Sequence, residues 1–261
     1  MNRRPSPPMI FSNRLKHKVL PIILTGWMVT MGLHVLAPQA QANLKNEASD
    51  GGWGTMHTGS QTTAGGRDYC PEVDLGAIAL IPATHWGIAT TQTPTLWFYL
   101  PYTSDQMAYG EFLLLDDQGF DQLEPIQFTG AATAGWVSIT LPELELPLVD
   151  GTDYNWAIQI YCRPNQVSPL TLEGWLQVTS SSPSVTAALD AGTVPAYQVY
   201  WNERLWFDAV HDLMQQRLAN PDNKELTTQW LSLLKEGGVR VNSEDTQAIL
   251  ESSPIIGPVS R

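Results

Sequence analysis

The chain has 261 residues and a formal net charge of −12 at pH 7, because 26 acidic side chains outnumber 14 basic ones. A field of this sign repels nucleic acid and anionic lipid surfaces, so we expect neither as a partner. A cationic ligand, a basic protein partner and simple solubility are all compatible with the charge.

Residues 1–42 have the order of regions that is typical of an export signal. The N-terminal region is basic and contains Arg3, Arg4, Arg14, Lys16 and Lys18. An apolar run over residues 19–33 follows, and the motif Ala-Gln-Ala at 40–42 satisfies the small-x-small cleavage rule. We therefore predict a signal peptide that is cleaved between Ala42 and Asn43, and an exported protein that is periplasmic or extracellular.

An uncleaved membrane anchor is the alternative for the same segment. Pro21, Gly26 and His34 interrupt its apolar run, which leaves it shorter than the ~20 apolar residues that a spanning helix requires. No later segment is long and apolar enough to cross a membrane, so no membrane span is expected after signal cleavage.

Residues 43–69 are rich in glycine, serine and threonine. Their few apolar side chains do not offset the entropy that is lost on ordering, which favours a flexible leader into the folded domain. Trp53 and His57 are the distinctive residues of this leader, and we expect His57 to be solvated.

The two cysteines, Cys70 and Cys162, lie far apart in the sequence. In an oxidising compartment such a pair favours one disulfide, which would close a loop of ~90 residues and stabilise the fold by roughly 4 kcal/mol. A metal site is the alternative, but neither cysteine has a second cysteine or a histidine at ligand spacing. The disulfide is therefore the preferred interpretation.

Eight short apolar runs indicate strands separated by turn residues. The runs are Leu75–Ile81, His85–Thr90, Thr95–Leu100, Glu111–Leu115, Ile126–Phe128, Trp136–Leu141, Tyr154–Cys162 and Leu170–Val178. The clearest is Tyr154–Cys162, in which every second residue is apolar and falls on one face of an extended chain. We predict a mainly β fold, with an antiparallel β-sandwich of about eight strands over residues 70–182.

The period becomes helical after the sandwich. Residues 197–218 carry apolar side chains at helix-face spacing, and Asn220-Pro221 then breaks the pattern. Asp222 and Glu225 form a candidate capping box for a second helix, and a short last helix is expected over residues 243–252. We predict a helical hairpin, in a helical C-terminal region 183–252 that is packed on the sandwich, and a flexible tail over 253–261.

Several of these segments resemble a family of exported cyanobacterial proteins known as domain of unknown function 928. The segments that carry the resemblance are Thr93–Tyr102, Gly110–Leu114, Tyr154–Cys162, Leu172–Trp175, Leu205–Ala209 and Asn220-Pro221. The resemblance covers residues 70–238. It implies an exported, β-rich domain with a helical C-terminus, and it transfers no catalytic residue.

Motifs that would indicate an enzyme are missing from the sequence. It contains no Gly-x-Ser-x-Gly nucleophile elbow, phosphate-binding loop, dinucleotide fingerprint or His-Glu-x-x-His motif. Acidic residues do occur in pairs, which keeps a carboxylate-dependent hydrolase open as an alternative. The pairs are Glu72/Asp74, Asp116/Asp117, Glu143/Glu145 and Asp150/Asp153.

These pairs fall at turns and strand ends, where solvated acids are expected. Calcium binding by Asp116, Asp117 and Asp121 is a second alternative to a polar turn. For His85 we expect a packing role in its loop, and for His211 a solvated or capping role. We therefore predict no catalytic, cofactor-binding or metal-binding residue.

Aromatic residues are the most informative feature for function. Flat rings on exported β-sandwiches stack on the apolar faces of sugars. The candidates are Trp86, Tyr102, Tyr109, Trp136 and Trp175, which lie in loops or on the polar side of their strands. Burial against the helical region is the alternative for the same residues. We expect the remaining large indoles, Trp97, Trp156, Trp201, Trp206 and Trp230, to lie in the core.

The preferred functional hypothesis is a non-enzymatic binding protein of the cell envelope, whose partner is another envelope protein. A carbohydrate-binding module that uses the exposed aromatics on a polysaccharide is the alternative. A hydrolase that uses a carboxylate pair is the second alternative.

Overall fold

A computed structural model describes residues 53–63, 69–239 and 244–260. The predicted signal peptide, its cleavage site at Ala42 and Asn43, and the first part of the predicted leader lie outside the described residues. Within the described ranges, no helix has the length and apolar character that a membrane span requires.

Nine strands form two mixed sheets in this part of the chain. They are β1 (Ile78–Ala79), β2 (Trp86–Ala89), β3 (Thr95–Leu100), β4 (Tyr109–Leu115), β5 (Ile126–Phe128), β6 (Gly135–Thr140), β7 (Asp153–Tyr161), β8 (Leu170–Val178) and β9 (Ile255–Pro258). One sheet has the order β1-β3-β6-β9 and the other β2-β8-β7-β4-β5. The mainly β fold with a helical C-terminus is confirmed.

The expectation of a purely antiparallel sandwich is wrong at two places. Strand β2 pairs with β8 in parallel, and β6 pairs with β9 in parallel. Both pairs join strands that are distant in sequence, so no hairpin forces them to run in opposite directions. The remaining strand pairs are antiparallel.

Strand β7 is central, because it pairs with β8 on one side and β4 on the other. Its inward side chains, Tyr154, Trp156, Ile158 and Ile160, are all buried. Cys162 follows directly and forms a disulfide with Cys70, with 5.1 Å between the two Cα atoms. The disulfide therefore attaches the chain before β1 to the end of the central strand.

Five helices follow β8 in the described chain. They are α1 (Pro183–Ala191), α2 (Ala196–Asn202), α3 (Trp206–Ala219), α4 (Lys224–Glu236) and α5 (Glu244–Ser252). The helix that was expected over residues 197–218 is two helices, because Arg204 adopts a left-handed conformation with φ 61°. The N-cap of α4 is Asn223, whose side chain accepts from the N–H groups of Glu225 and Leu226, and Asp222 is not the cap.

The helices cover the outer side of the four-stranded sheet. All six residues of β3 are buried, which requires cover on both faces. The Trp97 indole N–H donates to Nδ1 of His211 on α3, and the Trp136 indole N–H donates to the carbonyl of Leu250 on α5. Phe98 points the other way and contacts Phe128 of the opposite sheet. Along β4 and β8, buried residues alternate with residues that are half-exposed or exposed. The buried residues face the core, and the others form the outer side of the five-stranded sheet.

Residues 53–63 pack on the sandwich, which differs from the flexible leader expected over 43–69. Trp53 is only 3% exposed, and its ring contacts those of Trp201 and Trp206 at 4.5 and 4.9 Å. Ser60 exchanges two backbone hydrogen bonds with Glu173 of β8, at 3.0 and 3.1 Å. One buried indole and a series of backbone hydrogen bonds replace the apolar content that this segment lacks.

The C-terminal residues are also ordered, in contrast to the flexible tail expected over 253–261. Residues 255–258 form β9 beside β6. The N–H of Thr129 donates to the carbonyl of Ser260 at 2.9 Å. The edge of β6 is therefore paired along part of its length.

Candidate functional site

The outer face of the five-stranded sheet brings together three of the five candidate aromatics. Trp86, Tyr109 and Trp175 lie there, on β2, β4 and β8, and each is half-buried. Their positions follow from strand alternation, because the inward neighbours fill the core and the side chains between them point outward. We call this surface the outer face, and it also includes Asn155 and Tyr161 of β7.

Tyr102 and Trp136 are not available to a ligand, being 1% and 0% exposed. Trp136 packs edge to face against Trp230 of α4, with ring centroids 5.1 Å apart. Burial also raises the pKa of the Tyr102 phenol. The structure therefore favours burial, the alternative interpretation, for both candidates, and for Trp136 the reason is that helices cover the polar side of β6. Of the five indoles expected in the core, Trp201 is only partly buried.

Asp153 organises one end of the outer face. Its Oδ1 accepts the indole N–H of Trp86 at 2.8 Å and the side-chain amide of Gln177 at 3.0 Å. Its Oδ2 lies 3.4 Å from Nε2 of His57. The carboxylate thus connects β2, β7, β8 and the N-terminal segment through charge-assisted hydrogen bonds.

Residues 54–58 lie over the same end of the outer face. The ring of His57 is nearly parallel to that of Trp86, at 10° with centroids 6.1 Å apart. The indole N–H of Trp175 donates to the carbonyl of Thr58 at 2.9 Å. Gly54 lies against the Trp86 ring with φ 90°, where a Cβ would overlap the ring. His57 therefore has specific partners, and the solvated role expected for it is wrong.

A stacked pair of tyrosines occupies the opposite end of the outer face. Tyr109 and Tyr161 lie with centroids 4.5 Å apart and an angle of 16° between the rings. The Tyr161 hydroxyl donates to Oε1 of Gln159 at 2.7 Å. Burial, with a further contribution from nearby Glu111, raises the pKa of the Tyr161 phenol. Both rings remain half-exposed.

The strand register fixes the distance between the two ends. Asn155 of β7 lies opposite Trp175, and Tyr161 follows six residues later on the same strand, which corresponds to roughly 20 Å at ~3.3 Å per residue. Polar side chains lie between the ends, including Glu111, whose carboxylate accepts the Gln127 amide at 3.0 Å. The outer face is therefore an elongated surface with aromatic rings at both ends and both polar and apolar side chains between them.

The acidic pairs lie in connections or at strand ends: Glu72/Asp74 precede β1, Asp116/Asp117 follow β4, and both Glu143/Glu145 and Asp150/Asp153 lie between β6 and the start of β7. Asp116 Oδ1 accepts the N–H groups of Gln118 and Phe120, both at 2.9 Å, which is the pattern of a self-capped turn. Asp150 accepts from the hydroxyl and the N–H of Ser180, which lowers the pKa of its carboxyl. These bonds favour turn roles over a catalytic pair. They also occupy the Asp116 carboxylate, which a calcium ion would require as a ligand.

The other two histidines have structural partners. His85 adopts a left-handed conformation, with φ 56°, and its Nδ1 lies 3.2 Å from the carbonyl of His57. His211 is half-buried and accepts a hydrogen bond from the indole N–H of Trp97. The solvated or capping role expected for it is therefore wrong. Among the residues with described positions, no three histidine, cysteine or acidic side chains are grouped as metal ligands would be.

Two packed sheets, a helical layer on one of them and an aromatic-rich outer face on the other define the architecture of the described chain. The chain belongs to the family described as Domain of Unknown Function (DUF928), whose model matches residues 62–247. The family resemblance inferred from the strand and helix segments is therefore confirmed. No curated protein matches the chain.

Proposed function

We propose that the protein is an exported, non-enzymatic binding protein of the cell envelope, and that the outer face is its binding surface for a polysaccharide. The signal-like residues 1–42 and the Cys70–Cys162 disulfide support export, because disulfides persist in oxidising compartments. The family resemblance favours a cyanobacterial envelope as the setting.

The observation that carries the proposal is the pairing of Tyr109 and Tyr161 with Trp175 on one elongated face. Exposed rings offer flat apolar surfaces to the C–H faces of sugars. Carboxylates and amides between the rings, such as Glu111 and Gln127, supply acceptors and donors for hydroxyl groups. A chain of several sugar units fits a surface of this length better than a compact ligand does.

Retention on insoluble polysaccharides tests this proposal. The purified protein is passed over cellulose, chitin and peptidoglycan, and soluble oligosaccharides are then titrated by calorimetry. We expect Tyr161→Ala to weaken binding about tenfold, since a stacked ring contributes about 0.5–1.5 kcal/mol beyond its buried area. Tyr69→Ala is the matched control, because Tyr69 is an exposed tyrosine beside Arg163 and outside the outer face.

Equal retention of wild type and Tyr161→Ala would contradict the assignment of the surface. No retention on any polysaccharide would contradict the assignment of the ligand. A protein ligand on the same face is the second candidate, and the half-exposed Leu113 and Leu115 of β4 favour it. In that case an envelope protein would be captured by the wild type and by Tyr69→Ala, and lost with Tyr161→Ala.

A further inference from the structure

A cavity of about 420 Å³ lies under α3, at the outer side of the four-stranded sheet. Its walls come from the connection between β2 and β3, the facing ends of β3 and β6, one side of α3, and Pro258 of β9. None of these residues belongs to the outer face. A volume of this size lies within the range of small-molecule sites.

Ser138 is the most informative residue of the cavity wall. It lies on β6 opposite Trp97 of β3 and is only 2% exposed. Its side chain lines the cavity, where a hydroxyl can both donate and accept a hydrogen bond. A buried strand position favours an apolar or β-branched residue, so a serine hydroxyl on the wall of a cavity is a candidate contact for a ligand.

His211 and Asp208 add two further polar groups one helical turn apart on α3. Because Nδ1 of His211 accepts from Trp97, its hydrogen lies on Nε2, and Nε2 has no acceptor within the described chain. Burial lowers the pKa of His211, which favours this neutral form. The Asp208 carboxyl accepts the N–H and hydroxyl of Thr90 at 2.9 and 3.0 Å. The cavity thus holds an N–H donor and a carboxyl acceptor beside the Ser138 hydroxyl.

We propose that this cavity binds a small, neutral, polyhydroxylated molecule of mono- or disaccharide size, through the Ser138 hydroxyl, the His211 Nε2–H and the Asp208 carboxyl group. Threonine hydroxyls extend the polar lining, and Pro94, Phe207 and Pro258 provide apolar surface. Alternating hydroxyl groups and C–H surface are the features of a sugar that such a lining matches.

Charged ligands fit the same lining poorly. An anion requires a cationic partner, and the described lining contains no lysine or arginine. An ammonium ligand requires an ionised carboxylate, whereas burial raises the pKa of Asp208, the one acidic residue of the described lining. The site differs from the outer face in shape and in every residue, so it would act on a different ligand or on the end of a chain.

Calorimetric titration with glucose, sucrose and trehalose tests the proposal, with betaine and inorganic phosphate as charged comparators. The indole N–H resonance of Trp97, assigned with Trp97→Phe, reports binding next to His211. We expect at least one sugar to bind wild type and to shift this resonance. Ser138→Val removes the hydroxyl and adds methyl groups to the cavity, so we expect at least about tenfold weaker binding.

Two further variants keep the test decisive. Ser184→Ala on α1 changes an exposed serine outside the cavity and should bind as wild type does. If Ser138→Val does not fold, as judged by circular dichroism, His211→Gln replaces it, because glutamine retains an acceptor for Trp97 and loses the imidazole donor.

The proposal is overturned if no sugar shifts the Trp97 resonance, or if Ser138→Val or its substitute binds as tightly as wild type. Sugar binding that is lost in Tyr161→Ala and kept in Ser138→Val would place the ligand on the outer face and also overturns it. Displacement of the sugar by betaine or phosphate would refute the ligand class.

Discussion

Replacement of Cys162 by serine removes the covalent link between the chain before β1 and the end of β7. The two cysteines are separated by 92 residues, and in the chain-entropy model a loop of that length stabilises the folded state by about 4.6 kcal/mol. The backbone N–H of Cys162 donates to Oε1 of Gln166 at 2.9 Å, and serine keeps this bond. The substitution therefore isolates the effect of the cross-link.

A loss of about 4.6 kcal/mol corresponds to a decrease of roughly 9 to 18 °C in the melting temperature of a domain of this size class. The assay is thermal denaturation followed by circular dichroism, with and without reductant. Cys70→Ser, Cys162→Ser and the double variant should melt at one temperature, because each removes the same bond. Reductant should lower the midpoint of the wild type to that value and leave the variants unchanged.

Two results would refute this reasoning. Equal melting of the wild type with and without reductant would mean that no disulfide stabilises the fold. A double variant that melts well below both single variants would mean that each side chain acts through its own packing.

Four other substitutions, at three positions, test the core, the histidine of α3 and the buried arginine. Gly174→Ala should destabilise the fold by about 1–3 kcal/mol, because its Cβ would lie 2.5 Å from the ring of Trp156. Burial, opposed in part by Asp212, lowers the pKa of His211 below its ordinary 6.5. The unfolded chain therefore takes up this proton first on acidification, so the free energy of unfolding should fall as the pH decreases below about 6.5, and less steeply in His211→Gln. Burial also lowers the pKa of Arg217 to about 10, and we expect Arg217→Met to change stability by less than about 1.5 kcal/mol, whereas Arg217→Ala should cost about 2 kcal/mol or more.

Urea denaturation gives the free energy of unfolding for each of these variants. Wild-type stability for Gly174→Ala would show that the side chains of Ile81 and Trp156 shift to admit a methyl group. Identical pH slopes for wild type and His211→Gln between pH 5 and 7.5 would rule out the histidine as the titrating group. Equal losses for the two Arg217 variants would show that the charge, and not the volume of the side chain, determines stability at this position.

The two-residue period predicted the sheets well, because it reports directly on one buried face. The bounds expected for Thr95–Leu100, Ile126–Phe128 and Leu170–Val178 are those observed. Only the first strand is much shorter than expected, at Ile78–Ala79, since the apolar residues around it pack without extending the sheet. Alternation along β8 also placed Trp175 on the outer face.

The same period does not reveal what covers a face. Trp136 alternates with Val137 in the sequence, and nothing local indicates that α4 and α5 lie against it. Parallel pairing of β2 with β8 depends on the path of the chain, which periodicity does not report. The break at Arg204 was missed because α2 and α3 both turn apolar residues toward one core, so the helical pattern continues across the left-handed residue.

Trp53 was missed for the opposite reason. It is a single aromatic residue in a stretch of mostly small polar residues. The mean hydropathy of the stretch is therefore set by its neighbours. The indole itself and His57 are the distinguishing signals in this stretch, since neither is needed in a solvated linker. The Asp153 cluster was equally hidden, because its members come from four separate segments.

The two ends of the described chain constrain when folding can finish. Trp53 is among the first described residues to be synthesised, yet it packs against Trp201 and Trp206. Strand β6, which pairs with β3 on one edge, gains a partner on its other edge only when residues 255–258 emerge. Contacts so distant in sequence slow folding, and the second edge of β6 is open to other chains in the meantime. A fragment cut to residues 62–247 would keep both defects permanently, and it should aggregate where the full chain does not.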